Sequence, residues 1–225
     1  MLGADSVLLL NGDLTKDDIE HARSLNPKVV FAADGAFHKA IRYGIEPQYV
    51  VGDLDSVSGA VRTKNTEFIR INDQNQTDFE KILAFARRTQ PGRISIYGIS
   101  GGEMDHALGN LHSLIKHHQR DGEICFYAMQ QGSSKSGFVV REQMDFRTFV
   151  GAKVSIFPFP QARVTTQGLT YALSRTKINQ TSGVLAMRNI AKSTLVEIRV
   201  ESGIVLVTTD MSVPCEEGPS LIFPG

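Results

Sequence analysis

Short apolar runs that alternate with helical patterns are the feature that most restricts how this chain can fold. The strand-like runs cover residues 6–11, 28–33, 48–51, 67–71, 93–97 and 123–129, and the helical patterns cover residues 15–24, 35–43, 77–89 and 105–118. Two of the helical patterns begin with a threonine followed three residues later by an acid, which is the form of a capping box. Regular alternation of strand and helix is typical of a mainly parallel sheet with helices on both faces. The N-terminal part of the chain is therefore predicted to be α/β.

After residue 130 the pattern changes to β-type runs without a long helix. Residues 131–137 have the composition of a linker, and the runs that follow cover residues 138–141, 153–157, 163–166, 194–200 and 204–208. Turn-forming residues separate these runs: Pro158, Pro160, Gly168, Gly183 and Ser202-Gly203. We expect a small antiparallel β-sandwich here. The predicted domains are an α/β domain at residues 1–132 and a β-sandwich domain at residues 138–225.

The bulk composition excludes some classes of partner. The chain has 225 residues, with 24 basic and 24 acidic side chains, so no overall field favours nucleic acid or an acidic membrane. The two cysteines, Cys125 and Cys215, match no metal-binding spacing and are expected to be reduced thiols. The apolar run at residues 7–10 is too short for a signal peptide or a membrane span. A cytoplasmic location is therefore expected.

Acidic residues follow two of the predicted strands directly. Asp53 and Asp55 come after residues 49–51, and Asp34 ends the run at residues 29–33. Ligands of open parallel sheets bind beyond the carboxyl ends of the strands. Two carboxylates so close together repel each other unless a cation lies between them. For each acid alone, plain turn chemistry is at least as good an explanation, but their shared edge favours a divalent metal that holds a polyphosphate.

The start of the helix at residues 77–89 could contribute to the same site. Asp78 and Lys81 are three residues apart and share a helix face, so one could bind metal while the other reaches a phosphate oxygen. An exposed helical ion pair explains the spacing equally well. Gln74 and Thr77 could donate hydrogen bonds to a ligand, although Thr77 taken alone is better explained as a helix N-cap.

A glycine-rich turn at residues 98–102 leads into the last helix of the α/β part. Such a turn exposes backbone N–H groups, and the helix N-terminus that follows favours phosphate. The spacing is neither GxGxxG nor the Walker pattern. A tight strand-to-helix connection, with Asp105 as a helix cap and His106 as a solvated first-turn histidine, is the alternative.

Four segments in this order resemble the thiamine pyrophosphokinases. They are Ala33-Asp34-Gly35-Ala36, Gly52-Asp53-Leu54-Asp55-Ser56, Asp73-Gln74-Asn75-Gln76-Thr77-Asp78-Phe79-Glu80-Lys81 and Gly101-Gly102-Glu103-Met104-Asp105-His106. The resemblance covers residues 30 to 110. It implies an N-terminal α/β catalytic domain that binds nucleotide and metal, and a C-terminal β-sandwich on the thiamine side of a homodimer. It also implies transfer of a diphosphate from ATP to the thiamine hydroxyl, giving thiamine diphosphate and AMP.

The same resemblance implies roles for individual residues. It implies Mg²⁺ held by Asp34, Asp53, Asp55 and Asp78. For the catalytic roles in such a reaction, we expect Lys81 to stabilise the migrating phosphates and one of Asp55 or Asp78 to take the hydroxyl proton. ATP contacts are implied at Gln74, Thr77, Lys81, Gly101, Gly102, Asp105 and His106. Thiamine is implied at the dimer interface, partly against the partner's β-domain, where Asn189 is the candidate contact.

Glu103 is a departure, because the family usually has an arginine after the paired glycines. Arg93, Arg70 and Lys64 are candidate replacements for that cation. Two other functions use the same acids or the same pocket. One is a metal-dependent nucleotide phosphohydrolase with water as the nucleophile, and the other is a non-catalytic nucleotide- or thiamine-sensing module, which Glu103 favours.

Overall fold

A computed structural model describes residues 4–57, 63–129, 134–181, 186–211 and 221–222. The chain divides into two compact units. The first comprises Leu2–Lys116 and Phe126–Gln130, and the second comprises Met1, His117–Cys125 and Gln131–Gly225.

The first unit is built on a parallel sheet. Its strands are β1 (Ser6–Leu9), β2 (Val29–Ala33), β3 (Tyr49–Gly52), β4 (Glu67–Arg70), β5 (Ile94–Tyr97) and residues 126–128 of β6 (Ile124–Ala128). Its helices are α1 (Lys16–Ser24), α2 (Asp34–Arg42), α3 (Asp78–Thr89) and α4 (Met104–Lys116). The strand order is β6-β5-β1-β2-β3-β4, and the pairs from β5 to β4 are all parallel. The predicted parallel sheet is confirmed, and its carboxyl ends lie at one edge.

The apolar runs form the core of this unit. The strands β1 and β5 are buried along their whole length, as expected for parallel strands that are covered on both faces. Helix α3 packs on β2 and β3, where Phe85 contacts the stacked rings of Phe31 and Tyr49. This packing fixes the start of α3 relative to the ends of the strands.

Both capping boxes anticipated from the sequence are present. The Thr15 hydroxyl accepts the Asp18 N–H at 3.1 Å, and Asp18 accepts the Thr15 N–H in return at 2.8 Å. At α3, the Glu80 carboxylate likewise accepts the Thr77 N–H at 3.0 Å. These bonds satisfy backbone donors that the first helical turn leaves free. They explain why α1 and α3 begin where the sequence predicted.

The second unit is antiparallel throughout its described strand pairs. Its strands are β7 (Lys135–Val140), β8 (Gln143–Arg147), β9 (Lys153–Gln167), β10 (Thr176–Asn179), β11 (Ala186–Ile190), β12 (Leu195–Asp210) and β13 (Leu221–Ile222). The first half of β12 pairs with β8 and the second half with β7, while β9 runs beside both halves. The Phe138 and Phe146 rings, from β7 and β8, are in contact with centroids 5.2 Å apart. The predicted antiparallel C-terminal part is confirmed.

The strand breaks predicted at Pro158, Pro160 and Ser202-Gly203 are wrong, whereas Gly168 directly follows the end of β9, as predicted. Pro158 and Pro160 lie inside β9, and Ser202-Gly203 lies inside β12. The two strands pair over most of their lengths, and shifts of register at residues 200–202 and 203–205 absorb the irregular positions. Gly203, at φ +90°, is required there because a Cβ would lie 2.2 Å from the Gln161 carbonyl oxygen.

The predicted linker is also partly wrong. Lys135, Ser136 and Gly137 belong to β7, where they pair with residues 208–210 of β12. A Ser/Gly-rich composition does not prevent strand formation when a neighbouring strand supplies the hydrogen bonds. Residues 131–133, and Gly183 among the predicted separators, lie outside the described residues.

Within the described ranges, every helix is too short or too polar to cross a bilayer.

Candidate active site

A cleft of about 400 Å³ opens at the carboxyl edge of the parallel sheet. The ends of β2 and β3 and the starts of α3 and α4 contribute to its wall. Among the residues that line it are these predicted site residues: Asp34, Asp53, Asp55, Gln74, Thr77, Asp78, Lys81, Gly101, Gly102, Asp105 and His106. Residues from four separate segments of the chain therefore converge at one cleft, and the strand-end argument accounts for three of them: Asp34, Asp53 and Asp55.

Three of the acids form a compact group. One carboxylate oxygen from each of Asp34, Asp53 and Asp55 lies within 4.8 Å of the other two. Asp34 opens α2 directly after β2, whereas Asp53 and Asp55 follow β3. The chain turns between these two acids at Leu54, which has a left-handed φ of +66°. This turn gives both acids access to the same space.

Asp34 is fixed in place by the backbone around it. Its carboxylate accepts the Gly35 N–H at 2.7 Å and the Leu54 N–H at 3.0 Å. The side chain is 4% exposed, and it lies so close to Gly52 that a Cβ there would meet its carboxylate at 2.6 Å. The glycine in the segment Gly52-Asp53-Leu54-Asp55 is thus needed to make room for the first acid.

The acids perturb one another. Burial raises the pKa of Asp34, and the negative charge of Asp78 raises it further. The pKa of Asp53 is lowered, mainly because its carboxylate accepts the Asp55 N–H. The contact between the two carboxyl groups adds to both shifts, because it raises the pKa of Asp34 and lowers the pKa of Asp53. A bound cation would relieve the same repulsion.

The donor set fits Mg²⁺. Hard divalent cations take oxygen ligands, and Mg²⁺ in particular is held by one or two carboxylates together with substrate phosphates and water. Asp34, Asp53 and Asp55 supply three such oxygens on one side of an open cleft. Asp78 lines the same cleft but is not part of this close group.

Lys81 is a buried cation in the wall of this acidic cleft. Its side chain is 4% exposed, and its Nζ lies 3.2 Å from Asp78 Oδ1, whose side chain is 56% exposed. The alternative of a solvated helical ion pair therefore does not describe Lys81. Burying an ammonium group is costly unless opposite charges compensate it, and the acids of the cleft can provide that compensation.

Thr77 acts as the N-cap of α3, which was the alternative explanation for this residue. Its hydroxyl accepts the Glu80 N–H at 3.2 Å and lies 3.5 Å from the Ser113 hydroxyl. The Glu80 carboxylate in turn accepts a bond from Lys116 of α4 at 2.9 Å. These contacts hold the first turn of α3, which carries Asp78, in position. A ligand contact from Thr77 stays a prediction.

The glycine turn before α4 is strongly bent. Gly98, Gly101 and Gly102 have φ values of +68°, +82° and +66°, a region that favours glycine. In the first turn of α4, the Asp105 carboxylate accepts the N–H of His106 at 2.8 Å. Asp105 and His106 both line the cleft, so their predicted ATP contacts are spatially possible and stay predictions.

Some residues that line the cleft were missed in the sequence. Asn11 and Gly12 follow β1, and Asn110 from α4 donates to the Ile99 carbonyl at 3.2 Å. Asn11 and Gly12 could have been found from the sequence, because they follow the carboxyl end of the first strand, where ligands of parallel sheets bind. Because that strand was predicted to continue through Asn11, whereas β1 ends at Leu9, its loop was not considered.

Asn189 lies in β11 of the second unit and is 5% exposed. Its Oδ1 accepts the N–H groups of Tyr171 at 3.1 Å and Ile190 at 2.9 Å, and its Nδ2 donates to the Tyr171 carbonyl at 2.8 Å. The amide therefore ties the Tyr171 segment to β11. This structural role is an alternative to the predicted thiamine contact.

The candidate replacements for the missing arginine differ in position. Glu103 lines the cleft. Lys64 precedes β4 and Arg93 precedes β5, so both are at the amino ends of their strands, opposite the cleft edge. Arg70 is the last residue of β4 and lies at the carboxyl edge. The topology therefore favours Arg70 over the other two, although none of the three is among the residues that line the cleft.

Comparisons with known proteins agree with this geometry. Residues 23–126 match the family model described as thiamin pyrophosphokinase, catalytic domain. Thiamine pyrophosphokinase 1 of Oryza sativa subsp. japonica is 24% identical over 183 residues, which are 73% of this chain and 67% of that protein. Thiamine pyrophosphokinase of Bacillus subtilis is 36% identical over 78 residues, which are 32% of this chain and 36% of that protein.

Solved structures show the same fold. The thiamin pyrophosphokinase of Geobacillus thermodenitrificans superimposes with a TM-score of 0.76 at 19% identity, covering 93% of this chain and 99% of that one. The yeast thiamin pyrophosphokinase superimposes with a TM-score of 0.75 at 16% identity, covering 94% of this chain and 87% of that one. Family model, curated relatives and solved structures all point to the thiamine pyrophosphokinase family, and the resemblance of this chain to that family is confirmed.

Proposed function

We propose that this chain is a Mg²⁺-dependent thiamine pyrophosphokinase that transfers a diphosphate from ATP to thiamine and releases AMP. The observation that carries the proposal is the cleft itself. It combines the oxygens of Asp34, Asp53 and Asp55 with the buried ammonium of Lys81, within the segment that matches the catalytic-domain family model. Carboxylates that hold a metal and a cation that meets phosphate are the groups that phosphoryl-type transfer requires.

The reaction is an in-line displacement at the β-phosphorus of ATP. The thiamine hydroxyl oxygen forms the new bond to this phosphorus, the bond from it to the oxygen bridging the α- and β-phosphates breaks, and AMP leaves with that oxygen. Asp55 or Asp78 accepts the hydroxyl proton. When bound, Mg²⁺ neutralises the phosphate oxygens and lets the acids coexist in ionised form.

The protein contributes positioning and charge. Asp34, Asp53 and Asp55 would hold the metal, with Asp78 from the same cleft as the fourth proposed ligand, and Lys81 stabilises the migrating phosphates. Gln74, Thr77, Gly101, Gly102, Asp105 and His106 contact ATP. The acidic cleft also favours the cationic thiazolium ring of thiamine.

The proposed assembly is a cytoplasmic homodimer. The family resemblance supports thiamine binding at the dimer interface, with residues 1–132 as the catalytic domain and residues 138–225, including Asn189, on the thiamine side. We expect light scattering in solution to give about twice the chain mass of 24.7 kDa. A mass of one chain at assay concentrations would contradict the dimer.

We expect the purified protein, mixed with ATP, Mg²⁺ and thiamine, to form thiamine diphosphate and AMP in equal amounts, as detected by mass spectrometry. Without thiamine, ATP should remain intact, and without Mg²⁺ no product should form. Hydrolysis of ATP without thiamine would instead support the phosphohydrolase.

A sensing module is the second candidate, because Glu103 places an additional negative charge in the nucleotide cleft. Tight binding of thiamine or nucleotide without AMP release would support this candidate. It would also exclude the kinase function.

A further inference from the structure

The loop after β1 is bonded to the segment after β5. Leu10 N–H donates to the Tyr97 carbonyl at 2.8 Å, Gly12 N–H to the Gly98 carbonyl at 3.0 Å, and Asp13 N–H to the Ser100 carbonyl at 2.8 Å. The loop at residues 11–13, which we call the connector, therefore extends the pairing of β1 and β5 beyond the strands. It brings Asp13 against the glycine turn.

The Asp13 side chain holds this turn directly. Its Oδ1 accepts the Gly102 N–H at 3.2 Å. Its Cγ is so close to Gly101 that a Cβ there would lie 2.0 Å away. Gly101 and Gly102 both line the cleft, but Asp13 does not. Asp13 is exposed, so its carboxylate holds the turn from the surface of the protein, outside the set of residues that line the cleft.

The other side of the connector is also fastened. Lys39 of α2 donates from Nζ to the Gly12 carbonyl at 3.0 Å and to the Asn11 carbonyl at 3.4 Å. The connector therefore joins α2, which begins with the metal-binding candidate Asp34, to the turn that precedes α4. The connector therefore fixes the distance between the start of α2, which carries Asp34, and the Gly101-Gly102 turn.

Such support matters because two consecutive glycines have wide conformational freedom. Glycine loses more backbone freedom on ordering than any other residue. A turn that is ordered before the ligand arrives avoids that loss at the binding step. The Asp13 bond orders Gly102 and, by contact, Gly101.

We propose that Asp13 is a positioning residue for the nucleotide: it fixes the Gly101-Gly102 turn and the start of α4 in the shape that receives the phosphates of ATP. This inference rests on the proposed function. It assigns Asp13 no contact with the reacting atoms.

The test compares Asp13→Ala with Asp13→Asn and with Asp17→Ala as a matched control, since Asp17 is an exposed acid on α1. In Asp13→Ala we expect the KM for ATP to rise about tenfold, the effect of one lost hydrogen bond to a charged group. The kcat and the KM for thiamine should change less than about twofold. Asp13→Asn should stay within about threefold of wild type in all constants, because its amide oxygen can accept the same bond. Asp17→Ala should match wild type.

An unchanged KM for ATP in Asp13→Ala would overturn the proposal. A lowered KM would also overturn it, because it would mean that the carboxylate competes with phosphate. If Asp13→Ala does not fold, Lys39→Met provides the second test, because it releases the connector from its other side. It too should raise the KM for ATP, and an unchanged value would count against the proposal.

Failure of the proposed function is distinguishable from failure of this inference. If the wild-type protein makes no thiamine diphosphate, calorimetric titration of the same variants with Mg²⁺ and a non-hydrolysable ATP analogue still measures nucleotide affinity. Asp13→Ala should then bind the analogue about tenfold more weakly than wild type, and Asp13→Asn should stay within about threefold of wild type. Equal affinities of these two variants and wild type would overturn the role of Asp13.

Discussion

Asp53→Asn is expected to lower turnover by at least about a hundredfold at a fixed Mg²⁺ concentration. The substitution keeps the size of the side chain but removes one of three negative charges that face the same space. It should leave the fold intact, because the bond that the Asp53 carboxylate accepts comes from the neighbouring Asp55 N–H, at 3.3 Å, and an amide oxygen can replace it.

The metal dependence distinguishes a lost ligand from a general defect. In Asp53→Asn the Mg²⁺ concentration for half-maximal turnover should rise, and the melting temperature without metal should stay within a few degrees of wild type. Glu67→Gln is the control, because Glu67 is an exposed acid on β4 outside the cleft. Near-normal turnover with an unchanged Mg²⁺ midpoint would remove Asp53 from the metal site.

The site could be predicted from the sequence because its logic is topological. Asp34, Asp53 and Asp55 are brought together by the ends of β2 and β3, and parallel strands place those ends at one edge whatever the details of packing. The start of α3 at Asp78 was predicted because a capping box marks it, and the start of α4 at Met104 was predicted to within a residue because a glycine-rich turn precedes it. Capping and strand ends are local features, and the sequence around them determines them.

Other features depend on contacts between distant segments. The sequence of β9 contains two prolines, and nothing nearby shows that β12 pairs with it on both sides of them. The burial of Lys81 depends on how α3 packs against the sheet, so spacing alone left two explanations equal. Asp13 lies next to Gly102 only because β1 and β5 are neighbours, although 89 positions separate the two residues.

Acidic side chains outnumber basic ones in the cleft, which makes the positive charge of Lys81 important for binding a polyphosphate. The acids that line it are Asp34, Asp53, Asp55, Asp78, Glu103 and Asp105. Among the described residues that line the cleft, the basic side chains are one lysine, Lys81, and one histidine, His106; none of these residues is an arginine. A polyphosphate in this cleft depends on bound metal and on Lys81 for positive charge, because Glu103 contributes the opposite sign.

Lys81→Met should therefore reduce kcat by about a hundredfold or more, comparable to the loss of a group that stabilises transition-state charge. Methionine fits the buried stem of the side chain, and Asp78 is exposed enough to be solvated alone. Stability should thus change little, and thermal unfolding is the check. Lys81→Arg keeps the charge but not the shape, so it should recover part of the activity.

A double-mutant cycle with Asp78→Asn separates two roles for the lysine. If Lys81 acts on the phosphates, the double variant should be slower than either single variant. If Lys81 only orients Asp78, the double variant should be no slower than Asp78→Asn, because the lysine would have nothing left to orient. That second result would mean that Lys81 does not act on the phosphates itself and is a positioning residue for Asp78. The 3.2 Å contact between the two side chains is compatible with both outcomes, but the burial of the ammonium in the wall of a cleft lined by acids supports the first.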